Sequence, residues 1–338
     1  MIEQESFAFL FEGQGKQYPG MYNFLIDAHE ESRRIFDRAD LLCKRNNLDF
    51  RISDVCLEED PEKSLLAGNN FNPVATQLAL LTGETATVNY LHAMGVPRAS
   101  LNGGHSYGQW PGVVESGFLS FDDVFKLTIV RGNAMEQVDK AKASAVGLIY
   151  DARRIEESLI TLVKERLASH IEQEDDDGEI TVQNHAHQLL IGGSKKHVER
   201  VIGSLQLSHP HLMANIQENI QLSHHRRLRG AQAIVSGALE TMKAFNEIAI
   251  VPMLGDVNHT ISETFTQLKQ AMGTHLDHDL IFEACMLIMS QRGIQKVLEI
   301  GPGKIFGGMF KLANINVKVS TTESMTALDN VIANYAIR

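Results

Sequence analysis

Gly104-His105-Ser106-Tyr107-Gly108 sets a serine between two glycines, each two positions away. A serine on a tight strand-to-helix turn presents its Oγ outward, and flanking glycines remove the Cβ atoms that would strike neighbouring chain. The backbone N–H after such a serine, here that of Tyr107, points at a bound carbonyl oxygen and can stabilise an oxyanion. The chemistry this suggests is acyl transfer through an acyl-serine. The pattern alone is short enough to arise by chance in a glycine-rich chain. The preceding Ala99-Ser100-Leu101-Asn102-Gly103 is also polar for a central strand.

A serine nucleophile needs a base, and the chain offers fourteen histidines. Leu222-Ser223-His224-His225-Arg226-Arg227 stands out, with two histidines before two arginines at a helix start. Residue chemistry leaves His224, His225, His185 and His187 open as alternatives. The run Glu172-Gln173-Glu174-Asp175-Asp176-Asp177-Gly178 has the composition of a cation loop. Consecutive acids at a loop tip are read as solvated, and no metal site is expected.

The elements that must position these residues follow from apolar spacing. Phe7 to Phe11 reads as a short buried strand entering the Gly13-Gln14-Gly15 loop. Helices are expected over Met21–Asn46, from Asn72-Pro73 to the stop at Gly95, over Val124–Val138 carrying Arg131, and around Asp279–Arg292. Ala249–Met253 and Lys296–Ile300 read as later strands, the second entering Gly301-Pro302-Gly303-Lys304. Between about Lys140 and Leu207 a β-α-β-α pattern suggests a small inserted unit. Alternating strands and helices elsewhere imply a mostly parallel sheet.

The 338 residues, 43% hydrophobic and 22% charged, can build one large or two modest cores. A net charge of −11 argues against nucleic acid as a partner. Three scattered cysteines exclude a disulfide framework or a zinc-cysteine site. No signal peptide and no membrane-crossing run is present, so a soluble cytoplasmic protein is expected, as a monomer with no membrane partner.

Taken in order, six motifs resemble the malonyl-CoA:acyl-carrier-protein acyltransferase family of fatty acid and polyketide synthesis. They are Phe9-Leu10-Phe11-Glu12-Gly13-Gln14-Gly15-Lys16-Gln17, Gly104-His105-Ser106-Tyr107-Gly108, Val130-Arg131-Gly132-Asn133-Ala134-Met135, Gln188-Leu189-Leu190-Ile191-Gly192-Gly193, Ser223-His224 and Leu298-Glu299-Ile300-Gly301-Pro302-Gly303-Lys304. The resemblance spans residues 7 to 311. It implies an α/β-hydrolase-like large domain (1–139 and 208–338) with a parallel sheet, and a ferredoxin-like small subdomain at 140–207. It makes Ser106 the nucleophile, His224 its base, and the backbone N–H groups of Gln14 and Tyr107 the oxyanion hole. Arg131 would hold the free carboxylate of a malonyl-type group, since a planar guanidinium grips a carboxylate through two parallel hydrogen bonds. The implied reaction is ping-pong, from acyl-CoA to the phosphopantetheine thiol of an acyl carrier protein, with no bound cofactor.

Several positions depart from the family pattern. Glu12 stands for proline, Gln109-Trp110 for an acidic residue and an aromatic, Asn184-His185-Ala186-His187 for an Asn-Ser-Pro-Gly turn, and His278-Asp279 for Asn-Pro. Gly255-Asp256 stands where the family has two polar amides, in the segment matching its backbone-carbonyl support for the base; Asp256 could instead give His224 a carboxylate. Near Ser106, these changes make His105, Gln109, Asn184, Gly255 and Asp256 residues to follow. The rival reading is a hydrolase of acyl carrier proteins using the same serine and histidine. A nucleotide loop at Gly301-Pro302-Gly303-Lys304 is a weaker rival, lacking the third glycine and the Ser/Thr after Lys304. Arg226, Arg227, Arg229, Lys304 and Lys311 are the expected basic face for an acidic carrier protein.

Overall fold

The structure, a computed structural model, describes residues 6–141, 143–156, 158–217 and 220–337. Among these residues eleven strands form two sheets. In chain order they are β1 (Phe7–Phe11), β2 (Leu101–Gly104), β3 (Ser144–Tyr150), β4 (Glu179–His185), β5 (Gln188–Ser194) and β6 (Met213–Ile216). The remaining five are β7 (Ile248–Leu254), β8 (Ile261–Thr264), β9 (Leu280–Ile281), β10 (Lys296–Ile300) and β11 (Lys318–Thr321).

The larger sheet runs β11-β10-β1-β2-β7-β8, parallel throughout except for β8. A parallel sheet must be covered on both faces, and β1 shows how five residues do this. Its phenylalanines, Phe7, Phe9 and Phe11, enter one core, while Ala8 and Leu10 enter the core on the opposite face. That split follows from the two-residue alternation of a strand. The helix Pro73–Ala93 lies in the first core, buried nearly all round, with Pro73 in its first turn and Asn72 Oδ1 accepting from Ala75 N at 3.0 Å. The polar strand β2 is also fully buried; Asn102 Nδ2 donates to Ser116 Oγ at 3.0 Å, which satisfies its amide nitrogen inside the sheet. The helix expected over 21–46 is two helices, Asn23–Ile26 and Glu30–Arg45, with His29 as the N-cap of the second.

The smaller sheet runs β6-β3-β5-β4-β9. Helices Leu159–Ser169 and Lys195–Ser208 complete a β-α-β-β-α-β order, with the strand arrangement of a ferredoxin-like unit. The sequence pattern gave only β-α-β-α here. β4 is polar (Glu179, Thr181, Gln183, Asn184, His185), and β6 is four residues with Met213 exposed, so neither carries a strong apolar signature. β6 lies beyond residue 207 yet pairs with β3 and closes that edge. The acid run is not simply solvated either. Asp176 Oδ2 accepts the N–H groups of Glu172 and Gln173 at 2.8 and 2.9 Å and pairs with Arg200, while Asp177 pairs with Arg227.

Candidate active site

The carboxyl ends of parallel strands converge on one region, the usual place for ligands in an open α/β sheet. β1 leads into Glu12-Gly13-Gln14, β2 into His105-Ser106, β7 into Gly255-Asp256 and β10 into Gly301-Pro302-Gly303. After β2 a single tight turn, Ser106–Gly108, starts the helix Gln109–Glu115. Ser106 sits at φ +54°, a left-handed conformation that costs energy for any residue with a Cβ. Gly108 makes the turn possible: a Cβ there would lie 2.1 Å from the Phe11 carbonyl oxygen.

His224 Nε2 lies 2.8 Å from Ser106 Oγ. Burial, followed by the charge of His275, pushes the His224 pKa down to about 3, although Asp256 opposes the fall. The ring is therefore neutral, and a neutral ring accepting the serine proton at Nε2 carries its own proton on Nδ1. Nδ1 is buried without a hydrogen-bond partner. His225 is turned elsewhere. Its Nε2 faces the Asp177 carbonyl oxygen at 3.0 Å and its Nδ1 accepts from Arg227 N at 3.0 Å. His185 and His187 lie at the end of β4 and the following turn; the His185 Nδ1 accepts the His187 N–H at 3.2 Å.

Asp256 does not take the His224 ring as its partner. Its Oδ2 accepts the Ser106 backbone N–H at 2.6 Å, and its Oδ1 lies 3.4 Å from His275 Nε2. Burial would raise this carboxyl, but neighbouring histidines, with the charge of His275 foremost, outweigh it and hold it below its ordinary value. Gly255, beside it, forms a narrow turn whose N–H donates to Thr260 O at 2.9 Å.

Arg131 is completely buried, and none of its three guanidinium nitrogens has a hydrogen-bond partner. Its guanidinium carbon stands 5.2 Å from the Tyr107 ring centroid. Burial lowers its pKa to about 10, with the charges of Tyr107 and Asp256 opposing, so it remains a cation at neutral pH. Gln109 stands in place of the acidic residue of the family pattern. Its Nε2 donates to the carbonyl oxygens of Gly104 and Leu254 at 2.9 and 3.1 Å, stitching the ends of β2 and β7.

The glycine loop after β1 approaches the Ser106 turn so closely that a Cβ on Gly13 would lie 2.4 Å from His105 O. Gln14 Oε1 accepts from Gln77 Nε2 at 3.2 Å, and Gln77 also donates to Gln221 Oε1 at 3.3 Å. His105 Nε2 bonds Asn184 Oδ1 at 2.7 Å, joining β4 of the smaller sheet to the Ser106 turn; burial lowers the His105 pKa. A cavity of about 260 Å³ opens beside His105, between the Gly13–Lys16 loop, the smaller sheet at Leu148, Tyr150 and Leu190, and the segment from Ile305 to Leu312. Its walls mix apolar side chains (Leu148, Leu190, Met309) with amides and other polar groups (Gln14, Asn184, Gln188), a lining that suits a slender chain carrying amide groups.

The loop after β10 has its amides occupied. Gly303 N donates to Glu12 Oε2 at 2.8 Å, and Ile305 N and Phe306 N both donate to Glu299 Oε1. The donors that a nucleotide phosphate would need therefore already serve carboxylates. Of the expected basic face, Arg226 pairs with Glu179, Arg227 with Asp177 and Lys304 with Glu323, whereas Arg229 is largely exposed and 3.9 Å from Asp277. Among the described residues no group of three or more His, Cys, Asp and Glu could hold a metal ion, and no helix is long and apolar enough to cross a membrane. His275, Gln77 and Gln221 are site neighbours that carried no sequence signal, because each enters from an element remote in the chain.

The family profile of the acyl transferase domain matches residues 8–228. A malonyl CoA-acyl carrier protein transacylase of Bacillus subtilis (strain 168) is 26% identical over 313 residues, covering 92% of this chain and 91% of that protein. One from Staphylococcus aureus (strain COL) is 25% identical over 328 residues, covering 94% and 96%. The solved malonyl-CoA:acyl carrier protein transacylase of Xanthomonas oryzae pv. oryzae superposes with a TM-score of 0.84 at 23% identity, covering all of both chains. A malonyl-transacylase solved in complex with its type II polyketide synthase acyl-carrier protein gives 0.82 at 22% identity, covering 97% and 99%. The fold is thus an α/β-hydrolase-like large domain with a ferredoxin-like subdomain, and with the profile spanning most of the sequence the chain belongs to the acyl transferase domain family.

Proposed function

We propose that this acyltransferase moves a malonyl group from coenzyme A to the phosphopantetheine thiol of an acyl carrier protein, with Ser106 as nucleophile and His224 as base. The observation that carries the malonyl assignment is the buried, unpartnered Arg131 guanidinium. A cation without a counterion in a closed site is costly to keep unless a ligand anion completes it, and a planar donor fork fits a carboxylate. In the first half-reaction Ser106 Oγ attacks the thioester carbon while His224 Nε2 takes its proton. The oxyanion rests on the N–H groups of Gln14 and Tyr107, and collapse expels the coenzyme A thiolate, which regains the proton from His224. The carrier thiol then attacks the acyl-serine by the same steps in reverse.

The cavity beside His105 takes the pantetheine arm in this reading, and the chain works as a cytoplasmic monomer with no bound cofactor. Its two parts are residues 1–139 and 208–338, and the insertion at 140–207 with β6 added to it. Transfer is preferred to hydrolysis because the curated relatives are transacylases and because Arg131 suits a carboxylated cargo. Intact mass measurement after mixing with malonyl-CoA tests the reading. A malonyl adduct should form, vanish in Ser106→Ala, and pass to added carrier protein. Arg131→Ala should lower acylation by malonyl-CoA by about 100-fold while sparing acetyl-CoA, the size of losing a charge-assisted bidentate contact. Equal losses on both substrates would reject the role of Arg131, and rapid release of free malonate would favour the hydrolase.

A further inference from the structure

Two buried side chains to which the proposed reaction gives no role meet the backbone of Ser106 at both of its peptide groups. Asp256 Oδ2 accepts the Ser106 N–H at 2.6 Å, and His275 Nε2 stands 3.1 Å from the Ser106 carbonyl oxygen. The same His275 nitrogen is 3.4 Å from Asp256 Oδ1, so the two groups also face each other. Both atoms in front of Nε2 are acceptors, which puts a proton on that nitrogen and makes His275 the donor. Their exposures are 1% for Asp256 and 2% for His275, so water does not compete for these bonds.

A trans peptide unit is rigid and planar, with its C=O and the following N–H pointing in opposite directions. The Ser106 carbonyl and the Tyr107 N–H belong to one such unit. A donor fixed on the carbonyl therefore fixes the direction of the N–H, which is the group assigned to the oxyanion. Polarising the carbonyl also strengthens that N–H as a donor. Asp256 holds the preceding unit through the Ser106 N–H. Between the two units lies the strained torsion of +54°. Nothing in the local sequence holds it, since a serine has no intrinsic preference for that conformation.

The placement of His275 is itself secured. It lies in the loop after the helix Phe265–Met272, where its neighbour Leu276 accepts from His225 N at 3.1 Å and donates to Gln232 Oε1 at 2.7 Å. The segment that delivers His224 thus also anchors the loop that delivers His275, and the two imidazole rings meet edge to face at 5.3 Å. We propose that His275 and Asp256 are positioning residues that clasp the two peptide units of Ser106 and aim the Tyr107 N–H at the acyl oxygen. This rests on the reading of Ser106 as the acylated nucleophile.

Stopped-flow acylation by malonyl-CoA, with intact mass of the product and a melting curve for each chain, tests the clasp. Folded His275→Ala should keep its KM for malonyl-CoA and lose about 100-fold in acylation rate, the scale of losing one oxyanion donor. His275→Gln, whose amide N–H can reach the same carbonyl, should recover most of that rate. A folded His275→Ala that acylates like wild type would overturn the clasp, as would a loss that His275→Gln fails to recover. If His275→Ala does not fold, His275→Gln decides alone: a rate near wild type supports the clasp, and a 100-fold loss in a folded chain rejects it. A wild-type chain with no adduct on Ser106 would instead remove the underlying reading, and the clasp with it.

Discussion

Imidazolium is penalised by the burial around His224, and its pKa of about 3 leaves the ring free to accept a proton throughout the physiological range. A base works in its deprotonated form, which here persists at any pH above about 3. Acylation should therefore stay level as pH falls from 8 to 5, with no acid limb at the ordinary histidine value of about 6.5. A fall in single-turnover rate centred near 6.5 would contradict this assignment. His224→Ala should cost about 100- to 10,000-fold in acylation, the usual range for a general base. His225→Ala should leave the chemistry of the folded chain intact, because that ring bonds Asp177 O and Arg227 N and not the serine. Ser106, Arg131 and the histidine pair were legible as residue types at motif positions. The partner of Asp256 was not: its distance from Ser106 is 150 residues in sequence, and only the pairing of β7 beside β2 brings them together.

At the scale of elements, β1, β10 and the helix at 73–93 were legible from an apolar run, from an apolar stretch ending in a glycine-proline loop and from a strong cap respectively, whereas β4 and β6 were hidden by polar or short sequence. The same elements explain why the arginines after His224 are structural. Arg227 is mostly buried, pairs with Asp177 in the loop before β4, and donates to Ser144 Oγ at the start of β3 at 2.9 Å. It ties the segment carrying His224 to the smaller sheet. Removing it strands the Asp177 carboxylate, so Arg227→Ala should destabilise the chain by about 3 kcal/mol in a denaturant titration. An unchanged midpoint would show that the pair contributes little. Of the exposed members of the expected basic face, Arg226 and Lys304 are tied to Glu179 and Glu323, which leaves Lys311 and Arg229 as the pair to test. Reversing their charge should slow transfer to carrier protein several-fold and leave acylation by malonyl-CoA unchanged, since steering charges act on encounter with the macromolecule.

Across the whole molecule, two buried carboxyls couple stability to pH in one direction. Glu84 is fully buried with no hydrogen bond to either oxygen; burial, then the charge of Glu12, holds its pKa well above 4.5. Glu12 is raised as well, by burial and then by the neighbouring Glu299 carboxyl. Such groups bind more protons folded than unfolded. Their stabilisation is present below about 4.5 and is lost as pH rises through the raised value. Glu84→Gln should therefore melt higher than wild type at pH 8, by at least about 2 °C, with the advantage fading towards pH 4.5. The same difference at both pH values would refute this. Neither carboxyl could be placed from sequence, since burial of a glutamate depends on what the rest of the chain wraps around it. The position of β1 has another consequence. One of its two partners, β10, enters the sheet with Lys296 opposite Phe7, so this Phe-Ala-Phe-Leu-Phe edge stays open until synthesis has passed Lys296. At roughly 5–20 residues per second that wait is on the order of tens of seconds, long enough for a bare aromatic strand to stick to other nascent chains. A ribosome-associated chaperone that shields Phe7–Phe11 should raise the yield of active enzyme, and a chain interrupted before β10 should aggregate rather than fold.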